Sequence, residues 1–193
     1  SSAGSTLFYV SQSTAFCESP RVPITVTVNA KPHIGPDKNI KTCFGGYLNL
    51  DTVYYTAGNS STWTLNMQPV PRTDSVTASG FYQLISVTPA GCADTARVRF
   101  TVQPPVVANA GPDGTAEYLY PYQLNGSGNG SYQWFPGYPL LNHPGIANPL
   151  ATLKEDTRFV LQVRDAIGCT SYDTVKIKVL KGPGFYIPNA FTP

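Results

Sequence analysis

The residues with chemistry to offer are four cysteines, two histidines and a thin set of carboxylates. Cys17, Cys43, Cys92 and Cys169 form no CxxC pair, and His33 lies far from His143, so zinc-ligand spacing is absent. Disulfides in an oxidising compartment are the better use for such cysteines. A hydrolytic triad needs a nucleophile, a base and an orienting acid. His33 stands in KPHIGPD and His143 in LNHPGI, both proline-flanked connections, where surface loop histidines are expected. Glycosidase chemistry needs two acids facing one cleft. The 11 Asp and Glu residues place no i, i+2 pair on an apolar strand. The chain therefore reads as a non-enzyme. Asp37 and Asp113 follow Gly-Pro, where an Asp side chain bonds backbone two residues on. Calcium would need several converging oxygens, with Asp113, Asp156 and Asp165 as the candidates; no other cofactor is expected.

Aromatic residues are the remaining candidates. Tyr118, Tyr120 and Tyr122 alternate, so an extended chain would set them on one face. Tyr132, Trp134, Phe135 and Tyr138 follow within one hairpin's reach. A flat aromatic strip can stack on sugar rings, which makes Tyr118 and Tyr120 the candidate glycan-binding residues. The alternative is ordinary surface for Tyr118 and Tyr120, and core for Trp63, Tyr122 and Trp134.

The elements that must position these residues are strands. Charged residues are only 12% of the 193, while Tyr, Thr, Val, Gly and Pro abound; that composition favours sheet punctuated by turns. A net charge of +2 gives no electrostatic case for nucleic acid or an anionic membrane. Three stretches repeat: FYVSQSTAFCESPRVPITVTV (8–28), FYQLISVTPAGCADTARVRFTV (81–102) and FVLQVRDAIGCTSYDTVKIKV (159–179). Each reads as an alternating strand, a short turn ending in Cys, and a second alternating strand. Phe159, Leu161 and Val163 share one face, as do Val175, Ile177 and Val179.

A second repeat precedes the last two hairpins. Gly-Pro-Asp opens it in HIGPDKNIKTCFGGYLNL (33–50) and in NAGPDGTAEYLYPYQLNG (109–126); strands around Trp63 and Trp134 follow. A spacing near 75 residues suits a small β-sandwich. The organisation is all-β: residues 1–30 the closing hairpin of a truncated unit, 31–103 and 106–180 two full units, and 181–193 a linker with the first strand of a further domain. The opening SSAGSTLFYVSQ reads as the middle of a larger protein. Cys43 begins an early strand and Cys92 a late one. In a two-layer sandwich they could meet, closing a loop worth about 4 kcal/mol in the chain-entropy model; the alternative is two buried free thiols. In the next unit Leu119 stands where Cys43 does, so Cys169 has no partner inside its own unit.

The segment AGPDGTAEYLYPYQLNGSGNGSYQWFPGYPLLNHPGIANPLATLKEDTRFVLQVRDAIGCTSYDTVKIKV resembles the PKD-like, immunoglobulin-like domains of very large secreted proteins of gliding bacteria. In that family a Cys commonly follows the AGPD turn and pairs with the Cys after the late hairpin. No Cys stands between Asp113 and Leu124, a departure from that pattern. FYIPNAFTP (185–193) resembles the opening strand of the type B C-terminal sorting domain of type IX secretion. The resemblance implies a tandem of immunoglobulin-like sandwiches in a secreted cell-surface adhesin, of the gliding-motility type, serving as a stalk. Its partners would be neighbouring immunoglobulin-like domains of the same chain, and secretion and outer-membrane anchoring proteins through the sorting domain. Secreted proteins of such bacteria carry O-glycans at Asp-Thr/Ser-aliphatic triplets. That implies glycans on Thr52, Ser75, Thr95 and Thr174, unless these are plain strand residues. The rival reading is a carbohydrate-binding accessory region of a secreted polysaccharide-degrading enzyme, with polysaccharide as partner.

Overall fold

The computed structural model describes residues 3–182. Residues 185–193, expected to open a sorting domain, lie outside the described residues. The chain divides into two compact units, Ser1–Gln103 and Pro104–Pro193. Within the described residues both are built from strands, with one three-residue 3-10 turn at Leu50–Thr52.

The first unit begins with a separate hairpin, β1 (Gly4–Val10) and β2 (Val22–Val28). Its main sheet uses β3 (Lys38–Thr42), β4 (Ser60–Leu65), β5 (Gln68–Pro69), β6 (Gly80–Val87) and β7 (Ala93–Val102). The order is β3-β7-β6-β4-β5. Period-two alternation sends Tyr82 and Leu84 of β6, and Ala96, Val98 and Phe100 of β7, to one buried face. Leu50 and Trp63 close on that face, and Trp63 stacks on Tyr54 with ring centroids 6.2 Å apart. The opposing layer is short, a single bridge between Leu48 and Val76. Each large side chain fully withdrawn from water contributes about 1.5–3 kcal/mol.

The second unit repeats the plan. Its strands are β8 (Ala108–Asn109), β9 (Gly114–Glu117), β10 (Pro121–Gln123), β11 (Ser127–Gly128), β12 (Ser131–Phe135), β13 (Leu150–Thr152), β14 (Thr157–Arg164) and β15 (Thr170–Leu180). The main sheet runs β12-β14-β15-β9; the pairs β10-β13 and β8-β11 supply the rest of the unit's sheet. Phe159, Leu161 and Val163 are buried, as are Val175 and Ile177. Trp134 lies at the centre, wholly buried. Its indole N–H donates to the carbonyls of Ile146 at 3.0 Å and Ala147 at 3.3 Å. Its ring meets Phe159 edge-on, centroids 6.4 Å apart. In both units the tryptophan sits directly across the ladder from a leucine, Trp63 from Leu84 and Trp134 from Leu161.

The first and last main-sheet strands of each unit lie side by side and parallel. Lys38 to Thr42 of β3 run alongside Val98 to Val102 of β7. Gly114 to Glu117 of β9 run alongside Ile177 to Leu180 of β15.

The β1–β2 hairpin has the same ladder without the cover. Phe8 faces Ile24 across it, as Tyr82 faces Val98 and Phe159 faces Val175. Tyr82 and Phe159 are buried, yet Phe8 is 52% exposed and Ile24 48%. Val10, Val22, Val26 and Val28 are likewise exposed. A two-stranded hairpin is marginal alone in water, and this one presents a core face with nothing on it among the described residues.

Candidate functional site

Asp37 and Asp113 bind backbone, across far more than two residues. The Arg97 N–H donates to Asp37 Oδ1 at 2.8 Å, and the Lys176 N–H donates to Asp113 Oδ1 at 2.8 Å. Returning the favour from the other strand, Asp94 Oδ2 accepts the Ile34 N–H at 3.3 Å, and Asp173 Oδ2 accepts the Ala110 N–H at 2.8 Å. The Asp of Gly-Pro-Asp thus grips the last strand of its unit. An Asp on that last strand grips the residue before Gly-Pro. The expectation of a local turn bond two residues on is corrected: the parallel pairing brings the last strand closer than the turn's own amides. The Ile34 amide, ahead of the Lys31 ammonium 3.3 Å away, holds the Asp94 carboxyl below the ordinary carboxylate range.

The three calcium candidates are also spent on backbone. Asp156 Oδ1 accepts the Val179 N–H at 2.7 Å, and Asp165 Oδ1 accepts the N–H groups of Ile167 and Cys169. Asp113 and Asp156 line one open cleft of about 400 Å³ with Arg158, Lys176 and Lys178; Asp165 is not among its lining residues. Among the described residues no three His, Cys, Asp or Glu side chains gather closely enough to hold a metal ion. His33 and His143 are exposed and lie outside strands.

The alternating tyrosine strip is broken by a turn. β9 ends at Glu117, the Tyr120 N–H donates back to its carbonyl at 3.1 Å, and Leu119 takes a left-handed φ of 59°. The chain is not extended there, so Tyr118, Tyr120 and Tyr122 do not share a strand face. Tyr118 is 45% exposed and Tyr120 67%, both at the turn, while Tyr122 packs against the core. Trp134 is core, and Tyr138 is exposed with its hydroxyl donating to the Asn142 carbonyl at 2.6 Å. Of the Asp-Thr/Ser triplets, Thr52 and Thr95 are exposed, and Ser75 and Thr174 are half-buried.

The cysteines depart most from expectation. Cys43 and Cys169 are disulfide-bonded; Cys17 and Cys92 are free thiols. The expected Cys43–Cys92 pair does not form, and the parallel register gives the reason. Thr42 lies opposite Val102, so Cys43 stands at the C-terminal end of β7, whereas Cys92 stands at its N-terminal end. Ten residues of extended strand put them about 33 Å apart, and a disulfide tolerates about 4.4–6.8 Å between Cα atoms.

All three hairpin cysteines sit in one kind of turn. The Cys92 N–H donates to Thr88 Oγ1 at 3.1 Å, and the Thr88 N–H to the Cys92 carbonyl at 2.9 Å. Asp165 plays the part of Thr88 for Cys169, at 2.9 and 3.0 Å. Thr14 plays it for Cys17, at 3.3 and 2.7 Å. Gly91 and Gly168, at φ of 83° and 98°, make the left-handed step just before the cysteine that a side chain would strain. Sequence reading found the cysteines and missed this turn; its signal was the Thr or Asp three or four residues before each Cys.

No protein-family model and no curated protein sequence matches the chain. Among solved structures, a titin I-band fragment, I67–I69, is similar at 14% identity and a TM-score of 0.50, covering 80% of this chain and 67% of that one. A variant of the same three titin domains gives 13% identity and a TM-score of 0.47, over 77% of this chain and 64% of that one. Drosophila OTK extracellular domains 3–5 give 12% identity and a TM-score of 0.44, over 92% and 71%. The likeness to the first fragment, with the sheet orders above, defines the fold: all-β, immunoglobulin-like β-sandwich.

Proposed function

We propose that these units are spacer elements of a secreted cell-surface adhesin of the gliding-motility type. The observation that carries the reading is the parallel contact between first and last strand, repeated in both units and fastened by two Asp clasps each time. Tension applied through the chain ends enters a unit's main sheet at that sheet's first strand and leaves at its last. Because those strands lie parallel and adjacent, they are pulled past each other, and all their hydrogen bonds carry the load together. Such a joint resists extension better than one that opens bond by bond. The disulfide-bonded Cys43 and Cys169 support an oxidising, extracellular location. No helix among the described residues is long and apolar enough to cross a membrane.

The same reading takes β1–β2 as the closing hairpin of a further sandwich unit, whose remaining strands cover the Phe8–Ile24 face. It takes residues 31–103 and 106–180 as full units, and 185–193 as the start of a type IX sorting domain that hands the protein to secretion and anchoring partners. It places O-glycans on Thr52, Ser75, Thr95 and Thr174. An antibody against the chain tests the location: labelling of intact cells is expected, and labelling only after permeabilisation contradicts it. Deleting residues 31–180 in frame should weaken surface attachment while leaving export intact; unchanged attachment would reject the spacer role.

The exposed turn Tyr118-Leu119-Tyr120 favours a second reading, carbohydrate binding as an accessory module. Affinity electrophoresis in polysaccharide gels tests it. Retardation abolished by Tyr120→Ala supports that reading, and mobility unchanged in every gel removes it.

A further inference from the structure

We propose that Cys92 is one end of a disulfide whose other end is a cysteine terminating a strand laid along the free edge of β2. The inference rests on the reading of β1–β2 as the closing hairpin of a further unit. Two independent observations carry it.

The first is the repeated turn. Cys169 sits in the same hydrogen-bonded loop as Cys92 and is disulfide-bonded. That loop therefore presents its sulfur to a partner in at least one of its copies.

The second is where the Cys92 sulfur lies. Cys92 Sγ is 3.7 Å from the carbonyl oxygen of Asn29, the residue that follows β2. Gln103 holds the corresponding place after β7. In that better-covered unit the Gln103 N–H donates to the Thr42 carbonyl at 2.9 Å, at the end of β3, and the next residue is the disulfide-bonded Cys43. β2 pairs with β1 alone among the described strands, so the edge that corresponds to β7's contact with β3 is open. A strand placed there as β3 is placed on β7 would end beside Asn29, and its following residue would reach the Cys92 sulfur. The occupant is thus a Gly-Pro-Asp-led strand ending in cysteine, from the unit that β1 and β2 close. The present chain has only one cysteine in that kind of place, Cys43, because Leu119 stands at the other.

The bond forms by thiol–disulfide exchange with a disulfide-bearing oxidant. One protein thiolate attacks the oxidant's disulfide and expels one of its sulfurs as thiolate. The second protein thiolate then attacks the mixed disulfide at the protein sulfur and expels the other. The protein loses two electrons and two protons, and the oxidant leaves as a dithiol.

Non-reducing peptide mapping of the natively produced protein, alkylated before extraction, tests this. The expected result is loss of the alkylated Cys92 peptide and its recovery joined to a cysteine peptide from a Gly-Pro-Asp-led strand N-terminal to residue 4. Cys92 recovered alkylated, or joined to Cys17, overturns it. Hydrogen exchange on the same material distinguishes the disulfide from the further unit. Protected amides at Phe8–Val10 and Ile24–Val26 with an alkylated Cys92 reject the disulfide alone. Unprotected amides there reject the further unit, and the disulfide with it.

Discussion

Asp37 accepts the backbone N–H of Arg97 at 2.8 Å, and so the first strand of its unit is tied to the last by a side chain sixty residues away. Asp113 does the same for Lys176. A hydrogen bond to a charged acceptor contributes more than a neutral one, and removing it leaves the amide to find water. Asp37→Ala should therefore lower unfolding stability by about 1–2 kcal/mol. Denaturant titration followed by Trp63 fluorescence reads the change; a midpoint within error of the parent would mean the clasp contributes nothing.

The Asp94 carboxylate adds an acid dependence to stability. Its folded pKa is depressed, by the Ile34 amide first and then by Lys31. The sign follows: the folded state favours the ionised form. The contribution is complete above the unfolded value near 3.9 and is lost as pH falls below it through the folded value. Asp94→Asn should flatten the loss of stability below about pH 4. An identical acid limb in parent and variant would contradict this.

Tyr54 and Tyr82 act at the other end of the scale. Burial raises both hydroxyls, with Asp37 adding to the effect at Tyr54. Their stabilising contribution is whole below the unfolded value near 10 and declines as pH rises from there through the folded values. Tyr82→Phe should lessen the alkaline loss measured by thermal melts between about pH 9 and 11; an unaltered alkaline limb would be the opposing result.

Much of this was legible, and the reasons are local. Phe159, Leu161 and Val163 announce a buried face because a strand repeats every two residues, and all three are buried. Trp134 reads as core from the buried place that such sandwiches give a tryptophan, and it is wholly buried. The pairing of β3 with β7 was not legible. Lys38-Asn39-Ile40-Lys41-Thr42 is short and mostly polar, as an edge strand is, and its parallel direction is fixed only by the distant last strand. That one missing fact misplaced Cys43 by the length of β7 and sent the Asp37 bond to the wrong partner. The turn at Leu119 was hidden because a leucine gives no warning of a left-handed backbone.

The thiols offer a direct check of the cysteine assignment. The 193-residue chain on its own should titrate two thiols, Cys17 and Cys92, and four after reduction and unfolding. Cys17 is exposed and should be alkylated faster than the half-buried Cys92. Alkylation of native Cys43 or Cys169 would oppose the assignment.

Trp134 anchors the second unit with no exposed surface and two hydrogen bonds from its indole N–H. Trp134→Ala should cost about 3–5 kcal/mol, enough to unfold a marginal unit. Far-UV circular dichroism and melting would show it; a native melt would mean the neighbouring side chains had refilled the space.

Single-molecule pulling from the two chain ends, in reductant so that no disulfide limits extension, tests the sheared-strand joint most directly. Two abrupt rupture events are expected, each releasing roughly 200 Å of chain at about 3.5 Å per residue, with the first shifted to lower force by Asp37→Ala and the second by Asp113→Ala. Gradual extension at low force, or rupture forces indifferent to both substitutions, would contradict the account.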